Sequence, residues 1–599
     1  MDQSWRAALV ILAVMACQPQ GLQAAGGRQL AQTAAAPAPS AAVAALLAPL
    51  TAAETQLVSL TASAAITQLC SRNITAVQYA SAILKQVKMY TCINAFAALD
   101  PAKVLADAKS VDDKYAAGMD IKPLCGIVFA VKDNIDVLGY PTVAGTPALE
   151  GAHPPASSPI VTRLLKANGV VLGKTRMHEL ANGITSINPY YGPVLNPHNP
   201  AMHVGGSSGG SAASVAAHAA PAAFCTDTGG SCRIPAAMNG IVGLRPSMGC
   251  YNAGGGFVPM TTTRDTVGLM AREVADVSMF NAIFSDCHKG YSSVTLKGTK
   301  IGYSLAHWAN VTAEINGTLT AALNALTAAG VTIVPFDMTD FYKNATQLLN
   351  DGIFYTYEMP REMPRYLQTH GYELSYYDLV DKVASPGVLR AQKSYRDKPL
   401  DTFPTPTDYV QTLRTGIPTM KAMWNDYFTS YGFDTFLVPG SGVPARPIYD
   451  TEPYLRWGDN KTYVSTGNGI NNWGQQSTYE CPIGAPGLVI PAGMVTEVVM
   501  GTQMPITLQL FARTGDDDTL LSVGQAIQPL FATVPAPPAT PLCYGCTPVV
   551  KVPNFTVGFN PARLGGKAVP AANETTSYYS LSFNGTCTTS NMLPATASS

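Results

Sequence analysis

Residues 205–240 combine small, hydroxyl-bearing and charged side chains in a pattern that could support chemistry. Two Gly/Ser clusters, GGSSGGS (205–211) and TGGS (228–231), are joined and followed by small-residue or apolar runs. A flexible linker would be polar on both sides, so this pattern favours buried Gly-rich turns. Such turns direct backbone N–H groups toward a phosphate or an oxyanion. No Walker A lysine and no dinucleotide fingerprint is present, which favours the oxyanion.

Three blocks of the chain resemble the amidase signature family. They are PLCGIVFAVKDNIDV (123–137), the stretch from GGSSGG to GLRP (205–246), and GAPGLVIPAG (484–493) followed by MPITLQLFARTGDDDTLL (504–521). The likeness extends over about residues 55–530. It implies the α/β fold of that family, a large mixed β-sheet core covered on both sides by helices.

The resemblance implies a catalytic Ser–cis-Ser–Lys triad. Ser231 would be the nucleophile, Ser207 the bridging serine and Lys132 the base. Ser207 lies 75 residues after Lys132 and 24 before Ser231, and this register favours it over Ser208.

The resemblance also implies supporting roles around the triad. Four backbone N–H groups would form the oxyanion hole: those of Thr228, Gly229, Gly230 and Ser231. Structural residues near the site would be Gly206, whose peptide bond to Ser207 would be cis, together with Ser208, Asp227 and Arg233.

Elementary chemistry is consistent with these roles. A serine hydroxyl needs a base to become a good nucleophile, and no histidine lies in a Ser–His motif such as G-x-S-x-G. A lysine can serve only when neutral, and burial lowers its pKa. Lys132 ends the apolar run IVFAVK, so its burial is expected. A bridging serine can later donate a proton to the departing amine.

Two further segments resemble the indoleacetamide and mandelamide hydrolase branch of the family: 173–200, with MHEL and GITSIN, and 262–281, beginning TTRDTVG. This likeness implies a small arylacetamide as substrate, for example indole-3-acetamide. Segment 340–480 is rich in aromatic residues, which suit a flat acyl group, although core packing explains most such residues. They include Phe354, Tyr355, Tyr357, Trp424, Trp457 and Trp473.

Two other functions stay open. The amidase subunit of a tRNA-dependent amidotransferase shares the signature, but it would need a partner enzyme and a cytosolic or organellar location. An extracellular binding protein could keep an amidase fold without activity. Lys132, Ser207 and Ser231 are all present, which favours the amide hydrolase.

Local patterns predict alternating helices and strands. A helix is expected from Thr75, and another after Ser158 as N-cap and Pro159 as first residue, ending at Gly169. Buried strands are expected in GIVFAVKDNIDV (126–137) and VVLG (170–173), and further strand patterns lie in TKIGYSL and GVTIVPF.

Composition limits the range of partners. The 599 residues are 47% hydrophobic and only 13% charged, with a formal net charge of -1. This gives no electrostatic basis for nucleic-acid binding. His178, His198 and His203 show no metal-ligand spacing. We therefore predict a small-molecule amide substrate, with no metal and no cofactor, and leave the oligomeric state open, a homodimer included.

The chain ends predict export. Arg6 and the apolar run Ala7–Cys17 suit a signal peptide (1–24) and are too short for a stable membrane span. An Ala/Pro-rich disordered leader (25–54), an amidase domain (55–533), a Pro-rich linker (534–541) and an irregular tail (542–599) would follow. The leader up to residue 50 lacks acidic residues, so an organellar transit peptide stays open.

Cysteines and glycosylation sequons accompany this prediction. Removing Cys17 with the signal peptide would leave eleven cysteines, an odd number, and eight N-x-S/T sequons weakly support secretion as a glycoprotein. Cys232, beside Ser231, is interpreted as a small buried hydrophobic residue. Cys225 nearby leaves a redox-sensitive site open.

Overall fold

The computed structural model describes residues 45–119, 122–252, 254–308, 311–349, 352–446, 448, 479–498, 501–538, 547–551 and 580–584. The chain divides into two compact units, Met1–Pro49 and Leu50–Ser599, and all elements below belong to the second. The predicted signal peptide and residues 25–44 of the predicted leader lie outside the described residues. In the described part of the chain, the first helix begins at Ala52, three residues before the predicted start of the domain.

Eleven strands of the described residues form one mixed sheet. The strands are β1 (Phe96–Ala98), β2 (Val128–Lys132), β3 (Val170–Thr175), β4 (Ala222–Asp227), β5 (Val242–Arg245), β6 (Thr266–Ala271), β7 (Lys300–Ser304), β8 (Thr332–Phe336), β9 (Thr435–Pro439), β10 (Gly487–Thr496) and β11 (Gln503–Ala512). Their order across the sheet is β1-β3-β2-β4-β6-β5-β10-β11-β9-β7-β8. In the predicted irregular tail, β12 (Thr547–Lys551) pairs with β13 (Ser580–Asn584).

The strands that carry the site lie side by side. β2 pairs in parallel with β3 and with β4, and β4 pairs antiparallel with β6. Every residue of β2, β3, β4 and β6 is buried. A strand buried at every position has both faces covered, which is the arrangement predicted for the sheet.

Helices connect and cover these strands. In the described residues they are α1 (Ala52–Ser59), α2 (Ala62–Cys70), α3 (Ala76–Met89), α4 (Pro101–Ala116), α5 (Pro159–Lys166), α6 (Gly209–Ala216), α7 (Arg233–Asn239), α8 (Val274–Phe284), α9 (Leu305–Trp308), α10 (Ala313–Ala328), α11 (Thr339–Leu348), α12 (Gly352–Thr369), α13 (Tyr376–Asp381), α14 (Pro386–Arg396), α15 (Pro406–Gln411), α16 (Ile417–Tyr431) and α17 (Asp517–Ile527).

Local sequence signals explain several of these boundaries. The Thr75 hydroxyl accepts the Gln78 N–H at the start of α3, and the Gln78 side chain accepts the Thr75 N–H. Together the two bonds form a capping box. Ser158 precedes α5, which starts at Pro159 as predicted. Within the described part of the chain, no helix is both long and apolar enough to cross a bilayer.

Candidate active site

Lys132 ends strand β2 and points into the sheet core. Its side chain is fully buried. Its Nζ lies 2.7 Å from Ser207 Oγ and 2.7 Å from Thr226 Oγ1, with the Thr226 carbonyl oxygen at 3.4 Å. The amine therefore contacts the predicted bridging serine and an adjacent residue of β4.

Burial lowers the pKa of Lys132 to about 7, against the opposing effect of the Asp227 and Asp265 carboxylates, which raise it. A lysine with this pKa is substantially uncharged near neutral pH. Lys132 can therefore accept a proton under conditions in which an exposed lysine could not.

Ser207 follows a turn that only glycine can form. The Gly206–Ser207 peptide is cis, as the resemblance implies. A Cβ on Gly206 would lie within 3.0 Å of the backbone of Ile184, Thr185 and Ser186. The Ser207 carbonyl accepts a bond from the His178 N–H at 3.0 Å. The turn is thus enclosed by neighbouring backbone, which fixes the position of the Ser207 hydroxyl.

Ser231 lies in the loop between β4 and α7, residues 228–232. The Ser208 N–H donates to the Ser231 carbonyl at 3.3 Å, which brings this loop against the turn that carries Ser207. Lys132 and Ser207 have no exposed surface, whereas Ser231 is 6% exposed. The predicted nucleophile is therefore the member of the three that reaches the protein surface.

Asp227 anchors the loop from within. It pairs with Arg233 through Nε at 3.0 Å and with Arg245 through Nη1 at 3.1 Å. It also accepts the backbone N–H of Gly230 at 2.8 Å and of Cys232 at 3.2 Å. Burial alone would raise the pKa of Asp227, but the two arginines hold it far below its usual range. The carboxylate is therefore ionised and fixes the loop, the structural role predicted for Asp227 and Arg233.

Thr228 is held from two sides. Its hydroxyl donates to Asp265 Oδ1 at 2.7 Å, and its carbonyl accepts from Arg264 Nε at 3.0 Å. Asp265 also accepts the N–H groups of Met260 and Thr261 at 2.7 and 3.0 Å. The loop before β6 thus positions the first residue of the predicted oxyanion hole.

A disulfide joins Cys225 of β4 to Cys232 at the start of α7. The interpretation of Cys232 as a simple buried hydrophobic residue is therefore incomplete, since the side chain is buried but bonded. Two further disulfides are Cys70–Cys125 and Cys250–Cys287, and Cys92 is also disulfide-bonded. Cys481 is a buried thiol beside Arg233 and Asp227.

Gly229 faces an aromatic and cationic wall, formed by Arg264, Tyr355 and Tyr395. A Cβ on Gly229 would lie 3.4 Å from Arg264 Nη2 and 3.5 Å from Tyr355 Oη. Arg264 Cζ lies 5.0 Å from the centre of the Tyr355 ring, which stacks on Tyr395 at 5.9 Å. Tyr355 and Tyr395 are only half-buried. The wall therefore borders the surface at which Ser231 is reached.

Of the other aromatic candidates, Phe354 also contacts Arg264, whose Cζ lies 5.7 Å from the centre of its ring. Phe354 and Trp424 are fully buried in an aromatic cluster of the core. Tyr357 stacks on Tyr409 and donates to the Pro404 carbonyl. Trp457 and Trp473 lie outside the described residues.

Sequence reasoning placed the three central side chains in neighbouring elements but missed several of their partners. Thr226, Arg245 and Asp265 are not among the predicted site residues, and Tyr355 is only one of six aromatic candidates for the acyl group. Thr226 and Arg245 lie within the signature-like stretch 205–246, and this location is the signal that could identify them. Tyr355 gave no signal that distinguishes it from the aromatic residues of the core.

Comparison with known proteins shows the family of the chain. The family model described as Amidase matches residues 79–521. The protein is a hydrolase that acts on amide bonds. It belongs to the amidase signature family.

Curated relatives match over most of their length. The chain is 32% identical to an indoleacetamide hydrolase from Allorhizobium ampelinum over 443 residues, which is 73% of this chain and 90% of the relative. It is 30% identical to a mandelamide hydrolase from Pseudomonas putida over 481 residues, or 78% and 90% of the two chains.

Solved structures share the fold. A crystal structure of an amidase superposes with a TM-score of 0.64 at 26% identity, covering 79% of this chain and all of the other. The peptide amidase from Stenotrophomonas maltophilia superposes with a TM-score of 0.67 at 23% identity, covering 80% and 98%. The expected fold class is confirmed.

Proposed function

We propose that the protein is a serine amidase that hydrolyses a small carboxylic acid amide through an acyl-Ser231 intermediate. The observation that carries the proposal is the buried Lys132 amine 2.7 Å from Ser207 Oγ. Burying an amine and a hydroxyl costs free energy, and neither group would form part of a binding surface. A protein that served only for binding would therefore have no use for this pair.

Acylation would begin with proton transfer along this arrangement. Neutral Lys132 accepts the Ser207 proton, Ser207 accepts the Ser231 proton, and Ser231 Oγ bonds to the amide carbonyl carbon. The negative charge then lies on the former carbonyl oxygen, where backbone N–H groups stabilise it. Because the Gly230 N–H donates to Asp227, the predicted set of four donors is reduced to Thr228, Gly229 and Ser231.

The leaving group would depart with a proton from Ser207, which recovers one from protonated Lys132. The carbon–nitrogen bond breaks, and ammonia or an amine leaves. Water then loses a proton along the same path and attacks the acyl-Ser231 ester. The Ser231 oxygen leaves with that proton, which releases the carboxylic acid and restores the neutral lysine.

The dependence of activity on pH tests the role of the lysine. We expect kcat/KM to rise between pH 5 and 8 with a midpoint near 7, because only unprotonated Lys132 accepts a proton. Initial rates in buffers of constant ionic strength from pH 5 to 9 measure this. A flat profile across that range contradicts a lysine base.

We further propose an aromatic acyl group for the substrate. The wall offers the half-buried rings of Tyr355 and Tyr395 beside Gly229, and the fully buried Arg264 guanidinium lies against the Tyr355 ring. Flat rings stack favourably on such groups. The similarity to indoleacetamide and mandelamide hydrolases supports the same class, a primary amide one carbon away from an aromatic ring.

Replacing Tyr355 by alanine tests this assignment. For indole-3-acetamide and mandelamide we expect kcat/KM to fall about fivefold, because an aromatic contact is worth about 1 kcal/mol. For acetamide or butyramide the change should stay within about twofold. Tyr357→Ala, which removes a ring of the same helix that stacks on Tyr409 instead, is the matched control. An equal loss for aromatic and aliphatic amides contradicts the assignment.

Export to an oxidising compartment is also proposed. It is supported by the disulfides Cys70–Cys125, Cys225–Cys232 and Cys250–Cys287, since such bonds are rare in reducing compartments. The sequon residues Asn73 and Asn316 are exposed, as glycosylation requires. These features favour a secreted hydrolase over a cytosolic amidotransferase subunit.

A further inference from the structure

The Cys225–Cys232 disulfide closes a short ring around the site. Cys225 lies within β4 and Cys232 immediately precedes α7. The six residues between them include Thr226, which contacts Lys132, and the loop that ends at Ser231. The Cα atoms of the two cysteines are 5.5 Å apart. One covalent ring therefore contains the predicted nucleophile and the proposed oxyanion donors.

The ring rests on a rigid support. Cys225 pairs with Gly268 of β6. A Cβ on Gly268 would lie 2.8 Å from Cys232 Sγ and 3.2 Å from Cys225 Sγ. Both sulfurs are fully buried against a position where only glycine leaves room. The disulfide thus attaches the far end of the loop to the central sheet.

The remaining ties of the loop are noncovalent and act on both of its halves. Asp227 is held by Arg233 and Arg245, and Thr228 by Asp265 and Arg264. On the Ser231 side, Asp227 accepts the Gly230 and Cys232 N–H groups, and Ser208 donates to the Ser231 carbonyl. The disulfide adds a covalent tie to the Ser231 side, and cleaving it would leave that side held by hydrogen bonds alone.

We propose that Cys225 and Cys232 are positioning residues for amide hydrolysis, whose disulfide holds Ser231 and its neighbouring N–H groups in the reactive geometry. This inference rests on the proposed acyl-Ser231 mechanism. It predicts an effect on the chemical step rather than on substrate binding, because preorganised donors stabilise charge that develops in the transition state.

The test compares two double variants of the full chain. For Cys225→Ala/Cys232→Ala we expect kcat on an aryl amide to fall at least about tenfold with KM within about twofold, since losing a single oxyanion donor elsewhere costs about 10²–10³ in kcat. Labelling of Ser231 by a fluorophosphonate should slow about as much. Cys250→Ala/Cys287→Ala is the matched control and should keep both rates.

Thermal stability should change in the opposite order. The control removes a disulfide that spans 37 residues, against 7 for the active-site disulfide. A longer ring restricts the unfolded chain more, so the control should show the larger fall in Tm. A larger loss of kcat in Cys225→Ala/Cys232→Ala, together with a larger loss of Tm in the control, separates positioning of Ser231 from general stabilisation of the fold.

Reduction of the wild type provides a second measurement if the double variant does not fold. Dithiothreitol supplies two electrons and two protons per disulfide and closes to its own cyclic disulfide. Alkylation and peptide mass spectrometry then show which cysteines are reduced, and activity should fall with alkylation of Cys225 and Cys232.

Three outcomes would overturn the inference. The first is wild-type kcat and labelling in the Cys225→Ala/Cys232→Ala variant, or full activity with both cysteines reduced. The second is an equal loss of kcat in the Cys250→Ala/Cys287→Ala control. The third is a wild type that no fluorophosphonate labels at Ser231; this result refutes the underlying mechanism itself and is distinguishable because it appears without any variant.

Discussion

Replacing Ser231 by alanine is expected to lower kcat on aryl amides by at least about 10⁴-fold, because no acyl-enzyme can form. KM, or the Kd measured by calorimetry, should change by only a few-fold, since the proposed binding wall at Arg264, Tyr355 and Tyr395 is untouched. Steady-state assays of the purified variant, with active-site titration to exclude wild-type contamination, measure the effect.

Ser214→Ala is the control for Ser231→Ala. Ser214 is also a buried serine, and its hydroxyl donates to the Ser211 carbonyl at 2.9 Å on helix α6. Its loss should leave kcat within about twofold. If Ser231→Ala retains more than 1% of wild-type turnover, another group must attack the carbonyl, and the assignment of the nucleophile is wrong.

Replacing Lys132 by methionine is expected to lower kcat by about 10³-fold, within the range for loss of a general base. Methionine is an unbranched side chain one atom shorter than lysine and removes an amine whose burial is unfavourable, so the free energy of unfolding should not decrease. The residual activity should also lose the pH dependence expected between 5 and 8. Rate profiles and thermal unfolding of the variant measure both effects.

A second buried lysine provides the contrast. Lys174 of β3 is also fully buried, but its Nζ lies 3.6 Å from Asp133 Oδ1 and donates to the Pro141 carbonyl at 2.9 Å. Lys174→Met would leave Asp133 without its cation, so stability should fall while kcat is largely kept. A Lys132→Met variant that is as active as wild type, or one that loses activity only by unfolding, contradicts the role of Lys132.

These two lysines show how far the sequence could predict the site. Both end apolar runs, and composition alone gives no reason to prefer Lys132 as a base. The preference for Lys132 as the base comes from the family resemblance. The structure shows the physical difference, because Lys132 lies against two hydroxyls whereas Lys174 lies near a carboxylate. A pairing of this kind depends on strand register, which local patterns do not determine.

The elements of the fold are easier to predict from the sequence than the contacts around the site. Capping at Thr75 and the Pro159 helix start are local signals, and both match the observed elements. The contact of Tyr355 with the Gly229 side joins distant segments of the chain, and no local pattern encodes it. Cys225 and Cys232 are close in the sequence, but their pairing depends on the path of the chain between β4 and α7, which their spacing alone does not determine.

The division between chemistry and recognition has a consequence for how the protein could change. In the sequence, every group proposed to transfer a proton or to stabilise charge lies within residues 132–231. Tyr355 and Tyr395 belong to the helices inserted between β8 and β9. If Tyr355 and Tyr395 have the proposed role, substitutions between β8 and β9 would alter which acyl groups are accepted and leave the proposed hydrolytic residues unchanged. Diversification among relatives, or directed evolution toward new amides, would therefore proceed through the insertion at little cost to turnover.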